Sequence, residues 1–425
     1  MTAAALAQEL TALDAAQVTY ATQFVQQLLA AAARAGASDV HLHPMPNGLE
    51  VRWRVDGVLL SVGIFPRGQA TDVVARLKVL SGLLTYRSDV PQEGRIAVGQ
   101  VSNLSKDSGD RLETCPTVEM RVSTFPTLHG ERAVVRLFAS QQQYLYPEDL
   151  GLPSELHAAL LLRLAETSGA LLVTGPAGSG KTTTAYALLR HLVRQSGGSQ
   201  SLVSLEDPIE VAVDGVSQSQ VNSAAGFDLA AGLRSLMRQD PEVILVGEVR
   251  DRETAVTVFQ AALTGHLVLS TFHAGSSATA VSRLADMGIE PYLLRSGLAG
   301  VLSQRLVRRL CQECGQRASE VCAGGESRLG LPVKQWRVHS GCQACGQNGY
   351  RGRIALAEML PPLEGELGAA VLARADACEL ARLAEASGMV PLLARGIVAV
   401  EAGATDPAEI RRVLGFVDAN EASDG

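Results

Sequence analysis

Residues 175–182 read GPAGSGKT, directly after the apolar run Ala170-Leu171-Leu172-Val173 and before a helix-like stretch that opens at Thr183. A glycine-rich turn between a buried strand and a helix start is a P-loop. Its backbone N–H groups point inward at phosphate oxygens, and the helix N-terminus adds a field that favours negative charge. The cradle comprises Gly175, Pro176, Ala177, Gly178, Ser179, Gly180, Lys181, Thr182 and Thr183. Within it Lys181 is placed for the β- and γ-phosphates and the Thr182 hydroxyl for Mg²⁺. A chain built around this turn needs a parallel sheet behind it and binds a nucleoside triphosphate, with Mg²⁺ the expected metal.

Three further apolar runs support such a sheet: 202–205, 243–246 and 267–270. None alternates, as befits parallel strands covered on both faces. Polar groups follow each run, namely Glu206-Asp207, Glu248 and His273. Ligand crevices of open α/β sheets lie at the carboxyl ends of the strands, so the four runs point to one site.

The chain has 425 residues, enough for two or three domains. Its 47% apolar but only 4% aromatic content suits an Ala/Leu/Val-rich α/β protein. Residues 1–16 read as a lead-in. Residues 17–140 read as a small α+β domain of PAS-like type, with a helix around Phe24, Leu28, Leu29 and Ala32 and strands at 50–55, 118–123 and 132–138. A polar loop covers 99–117. Residues 141–152 form a linker and 153–425 the nucleotide-binding domain, with helices over 360–425. The formal net charge of −7 and the lack of a Lys/Arg run argue against a nucleic-acid partner. No run approaches the ~20 apolar residues of a membrane span, and the amino terminus is not a signal peptide. A cytoplasmic chain is expected, touching membrane only through partners.

Each polar group has its own chemistry. Glu248 ends the hydrophobic run Val243–Val246 plus Gly247, where a carboxylate can order the Mg²⁺ shell or take a proton from attacking water; an N-cap or salt-bridge acid is the plainer reading. Glu206 and Asp207, followed by Pro208, suit metal or water positioning, or a simple turn. His266 and His273 bracket 267–272, and an imidazole near a γ-phosphate can sense it, although on spacing alone a structural histidine is the commoner reading. Arg95, Arg121 and Arg136 fall in strand-like segments and need an anion, for which a triphosphate or flanking acids both serve. Cys311, Cys314, Cys342 and Cys345 form two CxxC pairs with 27 residues between them, the donor set of a structural Zn²⁺ site. Cys322 is an unneeded fifth candidate; Cys115 and Cys378 stand apart.

With these residues in hand, the chain resembles the type II/type IV secretion ATPases, the assembly motors of type II secretion and type IV pili. The resemblance runs from about Val18 to the end and rests on GASDVHLHP (36–44), VRWRVDGVL (51–59), PQEGR (91–95), RVSTFPTLHGE (121–131), GPAGSGKTTT, LEDPIE, RQDPEVILVGEVRDRETA (238–255), AALTGHLVLSTFH (261–273) and RLVRRLCQEC (305–314). It implies a RecA-like core and a homo-hexamer of two-domain subunits. ATP would be held between the domains, and the motor would work at the inner membrane through a platform protein and a cytoplasmic docking protein. It assigns Glu206 to an acidic box, Glu248 to the catalytic carboxylate, His266 and His273 to a histidine box, and Arg95, Arg121 and Arg136 to nucleotide contact. The tetracysteine leans towards assembly motors rather than retraction motors. PQEGR and TFHA depart mildly from the family's usual PQDGR and TLHT, and residues 99–117 look like an insertion. The family's extra amino-terminal docking domain is expected to be missing, which leaves open which partner docks the chain.

Overall fold

The computed structural model describes residues 2–70, 72–96, 119–138, 144–318 and 331–415. The loop expected at 99–117, Cys115 and Cys322 lie outside the described residues. The chain divides into two compact units, Met1–Ser140 with Gly341–Arg351, and Gln141–Ser340 with Gly352–Gly425.

The first unit holds helices α1 (Ala3–Thr11) and α2 (Tyr20–Arg34), strands β1 (Asp39–Met45), β2 (Gly48–Val55) and β3 (Val58–Phe65), helix α3 (Val73–Leu80), and strands β4 (Gln92–Ile96), β5 (Glu119–Thr127) and β6 (Gly130–Phe138). The strands form an antiparallel sheet in the order β3-β2-β1-β6-β5-β4. Alternation sets its faces. On β2, Leu49, Val51 and Trp53 are buried while Arg52 between them is exposed. The buried face packs against Phe24, Leu28 and Leu29 of α2 and Val74 and Leu77 of α3. Residues 1–16, expected to be a lead-in without a role, instead supply α1. Thr2 caps it by accepting from the Ala5 N–H at 3.2 Å, and its Leu6 and Leu10 are buried in this same core.

The second unit follows with α4 (Ser154–Leu164), β7 (Gly169–Thr174), α5 (Lys181–Ser196), β8 (Leu202–Glu206), β9 (Ser217–Gln220), α6 (Leu229–Leu236), β10 (Val243–Val249), α7 (Arg252–Leu263) and β11 (Leu267–Phe272). Next come α8 (Ser277–Asp286), α9 (Pro291–Gly297), β12 (Leu298–Leu310), β13 (Gly315–Arg317), β14 (Arg337–His339) and β15 (Tyr350–Met359). Four helices close the described chain: α10 (Gly365–Leu372), α11 (Ala377–Ala386), α12 (Leu392–Glu401) and α13 (Pro407–Leu414). A short 3-10 helix, Pro147–Leu150, sits in the segment expected to be a plain linker.

The main sheet runs β15-β12-β7-β11-β10-β8-β9, with the strands from β12 to β9 parallel to their neighbours. Successive side chains of one strand enter opposite cores: Leu172, Ile244 and Val268 one, Leu171, Leu245 and Leu269 the other. This is the two-sided cover that the unbroken apolar runs require. Beyond the four strands legible as such runs, β12, β15 and β9 extend the sheet. Two buried acids fasten the closing helices. Glu358 accepts from Ser277 N and Oγ at 2.8 and 2.9 Å and from Leu392 N at 3.0 Å, and Glu409 accepts from Arg308 Nε and Nη2 at 2.9 and 2.8 Å.

Candidate functional site: a phosphate edge on the parallel sheet

The parallel register brings strand ends level. Thr174 pairs with Phe272, Val246 with Leu205, and Ser303 with Thr174. The chain leaves β7 through the P-loop, and α5 begins at Lys181. Gly180 has φ +89°, a left-handed conformation open to glycine. Pro176, Ala177 and Gly178 are exposed, while Ser179 and Lys181 are buried. The Lys181 ammonium donates to Gly175 O at 2.9 Å and Pro176 O at 3.0 Å. Burial lowers its pKa, and the nearby Glu248 carboxylate works in the opposite sense. Two neutral carbonyls are modest partners for a buried cation, and phosphate oxygens would be stronger ones.

Glu248 stands two strands away on β10. One of its oxygens accepts from His273 Nε2 at 2.6 Å and the other from Arg250 Nε at 2.8 Å. Arg250 also reaches Asp207 at 3.7 Å, and the hydrogen bond it donates to Glu248 raises its pKa. His273 follows β11 directly, and Arg283 donates to its carbonyl oxygen. Lysine, carboxylate and one imidazole therefore share an edge. A carboxylate with both oxygens held is oriented for proton transfer or water positioning.

Glu206 reaches the same edge at the end of β8 but is only 4% exposed. Tyr186 Oη donates to one oxygen, and Ser204 Oγ (2.6 Å) and Gln218 Nε2 (3.1 Å) donate to the other. Burial, with this carboxylate beside it, pushes the Tyr186 phenol up. Buried and holding three donors, Glu206 is fixed at the end of β8.

His266 is not brought to this edge. It precedes β11, whereas the P-loop follows the parallel β7. A strand of six residues separates it from His273, which amounts to about 20 Å at ~3.3 Å per residue. Its Nδ1 lies 2.9 Å from Ala261 O and 3.2 Å from Thr264 Oγ1, a capping arrangement at the end of α7.

In the first unit, taken by itself, the three arginines fall into one row. Arg95 pairs with Arg121, and Arg121 with Arg136, which in turn faces Asp39. Directly opposed side chains have Cβ atoms ~4.5–5.5 Å apart, and like charges there repel. Asp39 sits at the end of the row, accepting from Arg136 Nε at 3.0 Å and lying 3.8 Å from Arg54 Nε. The row lies on the sheet face away from the helices, as the buried Val122 and Val135 of opposite parity show.

The four cysteines expected to bind metal come together, with all Sγ atoms within 4.8 Å of one another. Cys342 and Cys345 Sγ are 3.7 Å apart, close to the ~3.8 Å that tetrahedral Zn–S bonds of ~2.3 Å impose. The N–H groups of Cys342 and Gly349 point at Cys345 Sγ at 3.2 and 3.3 Å, the support a metal-bound thiolate uses. The residues therefore fit a structural zinc.

Sequence reasoning missed Arg250, Tyr186 and Gln304. Arg250 had a signal, since it lies two residues beyond Glu248 and strand side chains two apart share a face. A buried tyrosine within a helix and a glutamine within a strand gave none.

The chain matches the model of the Type II/IV secretion system protein family over residues 14–412 and belongs to that family. It is 37% identical over 397 residues to the type IV pilus assembly ATPase PilB of Thermus thermophilus, covering 92% of this chain but 42% of PilB. It is 41% identical over 341 residues to the type II secretion system ATPase E of Vibrio cholerae, covering 80% and 64%. With the type II secretion system protein HxcR of Pseudomonas aeruginosa it shares 40% over 391 residues, covering 92% and 76%. Among solved structures, the ATPase DotB of Yersinia pseudotuberculosis superposes with a TM-score of 0.66 at 19% identity, spanning 93% of both chains. The pilus retraction motor PilT, solved with ADP, gives 0.59 at 21% identity, spanning 93% of this chain and 98% of PilT. These two likenesses show the ATPase fold.

Proposed function

We propose that the chain is a Mg²⁺-dependent ATPase that works as a homo-hexamer and powers assembly of a type II secretion pseudopilus or a type IV pilus. The motor would sit at the cytoplasmic side of the inner membrane and act through a platform protein there; no helix among the described residues is long and apolar enough to cross a membrane. The observation that carries the reading is the convergence of Lys181, Glu248 and His273 on one end of the parallel sheet.

In this reading Lys181 exchanges its two carbonyls for β- and γ-phosphate oxygens, and the Thr182 hydroxyl is the protein ligand for Mg²⁺. Glu248, held by His273 and Arg250, takes the proton of the attacking water. Beside Gly180 and Thr183 lies a recess lined by Leu150, Leu152, Leu306 and Tyr144 with Arg353, an apolar seat suited to a nucleobase. Arg95, Arg121 and Arg136 offer a row of cations for triphosphate oxygens. The four cysteines hold a structural zinc.

Steady-state phosphate release with MgATP tests the reading. Glu248→Gln should keep ATP binding and lose turnover by about 10²-fold or more, the scale of a general base. Unchanged phosphate release in that variant would remove Glu248 from its role. Purified protein should carry one zinc, which Cys311→Ser loses with ATP affinity unchanged; full metal content in the variant would reject the site.

A further inference from the structure

The segment that opens with Gln304 and Arg305 runs beside the P-loop; Gln304 also borders the recess beside Gly180, but neither residue was given a role above. Ser303 on β12 pairs with Thr174 on the parallel β7, so Gln304 falls next to Gly175. Its side chain is 3% exposed and uses both polar ends on the loop. Nε2 donates to Ser179 O at 2.7 Å, and Oε1 accepts from Thr184 Oγ1 at 2.9 Å. One bond grips the top of the arch and the other the first turn of α5. The fit is close on both sides. A Cβ at Gly175 would stand 2.5 Å from Gln304 O, and one at Gly180 would stand 3.0 Å from Gln304 Nε2. Arg305 steadies the grip, donating to Gln304 O at 3.0 Å and to Gly275 O, two residues past His273, at 2.5 Å.

A buried amide that follows the buried Val301, Leu302 and Ser303 is a costly choice if filling space were its only task. Leucine has nearly the same volume and no polar atoms to satisfy. The amide instead fixes backbone groups that must aim at an anion. We infer that Gln304 is a positioning residue for nucleotide turnover, pinning the P-loop from the neighbouring strand so that its N–H groups converge before ligand arrives. Preorganisation of this kind raises affinity by removing an ordering cost. The inference rests on the ATPase reading of the same site.

The test compares wild type with Gln304→Leu, Gln304→Glu, Thr184→Val and the double variant Gln304→Leu/Thr184→Val, measuring ATP KM, kcat and thermal midpoint. Gln304→Leu should raise KM about tenfold, the scale of one or two buried hydrogen bonds, with a much smaller change in kcat and in the midpoint. Gln304→Glu keeps the acceptor for Thr184 but turns a carboxylate oxygen on Ser179 O beside the phosphate site, and should raise KM at least as far as Gln304→Leu. The double variant should be no worse than Gln304→Leu alone, because the two residues share one bond. A KM equal to wild type in folded Gln304→Leu, a midpoint that falls while KM holds, or additive effects in the double variant would each overturn the inference. If Gln304→Leu fails to fold, Gln304→Glu and Thr184→Val decide by the same criteria. Wild-type protein without turnover or nucleotide binding would bring down the ATPase reading itself, whereas an active wild type beside an unaltered Gln304→Leu defeats the positioning role alone.

Discussion

In the six-stranded sheet, Arg95, Arg121 and Arg136 come from three neighbouring strands and stand in one row on the face away from the helices. In the seven-stranded sheet, Lys181, Glu248 and His273 come from segments that follow or end three different strands, and none stands on a face. The difference follows from burial. An antiparallel sheet covered on one side can spend every second side chain on solvent, so register gathers its polar groups. A parallel sheet covered on both sides has apolar contacts to make along its whole length, so only the strand ends are free for chemistry. In one unit the gathering principle is who faces whom. In the other it is which end of the strand a residue occupies.

Three measurements would break or sharpen that contrast. The largest effect is expected from the row: Arg121 sits between two other arginines, and Arg121→Ala should lower kcat by about 10³-fold, the low end of what an arginine acting on a transferring phosphoryl group supplies. A kcat within a few-fold of wild type would make the row a surface feature. Next comes His273→Ala, which takes one donor from Glu248 and should reduce kcat about tenfold, the scale of a hydrogen bond to a charged group. The smallest effect belongs to His266→Ala, where kcat should stay within about twofold, as for a change at a site remote from the chemistry. Equal losses at the two histidines would show that strand ends do not sort function as argued here.

The P-loop and the four apolar runs were legible because each is local, a glycine pattern or a continuous hydrophobic stretch. β12 was not, since LAGVLSQRLVRRL mixes glycine, polar and charged residues and owes its place to pairing with β7. The arginines were each noticed, but their alignment needed register between strands far apart in sequence, with 97–118 outside the described residues. His266 and His273 were grouped because they bracket one apolar run and both match the family's histidine box. The intervening six-residue run carried the correction, because an extended segment of that length runs from one end of the sheet's strands to the other. Glu206 was rightly placed at an edge, and Ser204, two residues back on the same strand, had a signal, but the donors at 186 and 218 come from other elements and have no sequence signature. The α1 helix escaped because its two buried leucines are too few for a periodic signal.

The tightness around Gly175 has a practical bearing on mutational scans. A methyl group there would meet Ser179 Oγ at 2.4 Å and Gln304 O at 2.5 Å, so even the mildest replacement forces two walls of the loop apart. Inactivity after Gly175→Ala would therefore diagnose crowding in the masonry, not a missing contact with the guest, and such a result should never be scored as evidence of what binds.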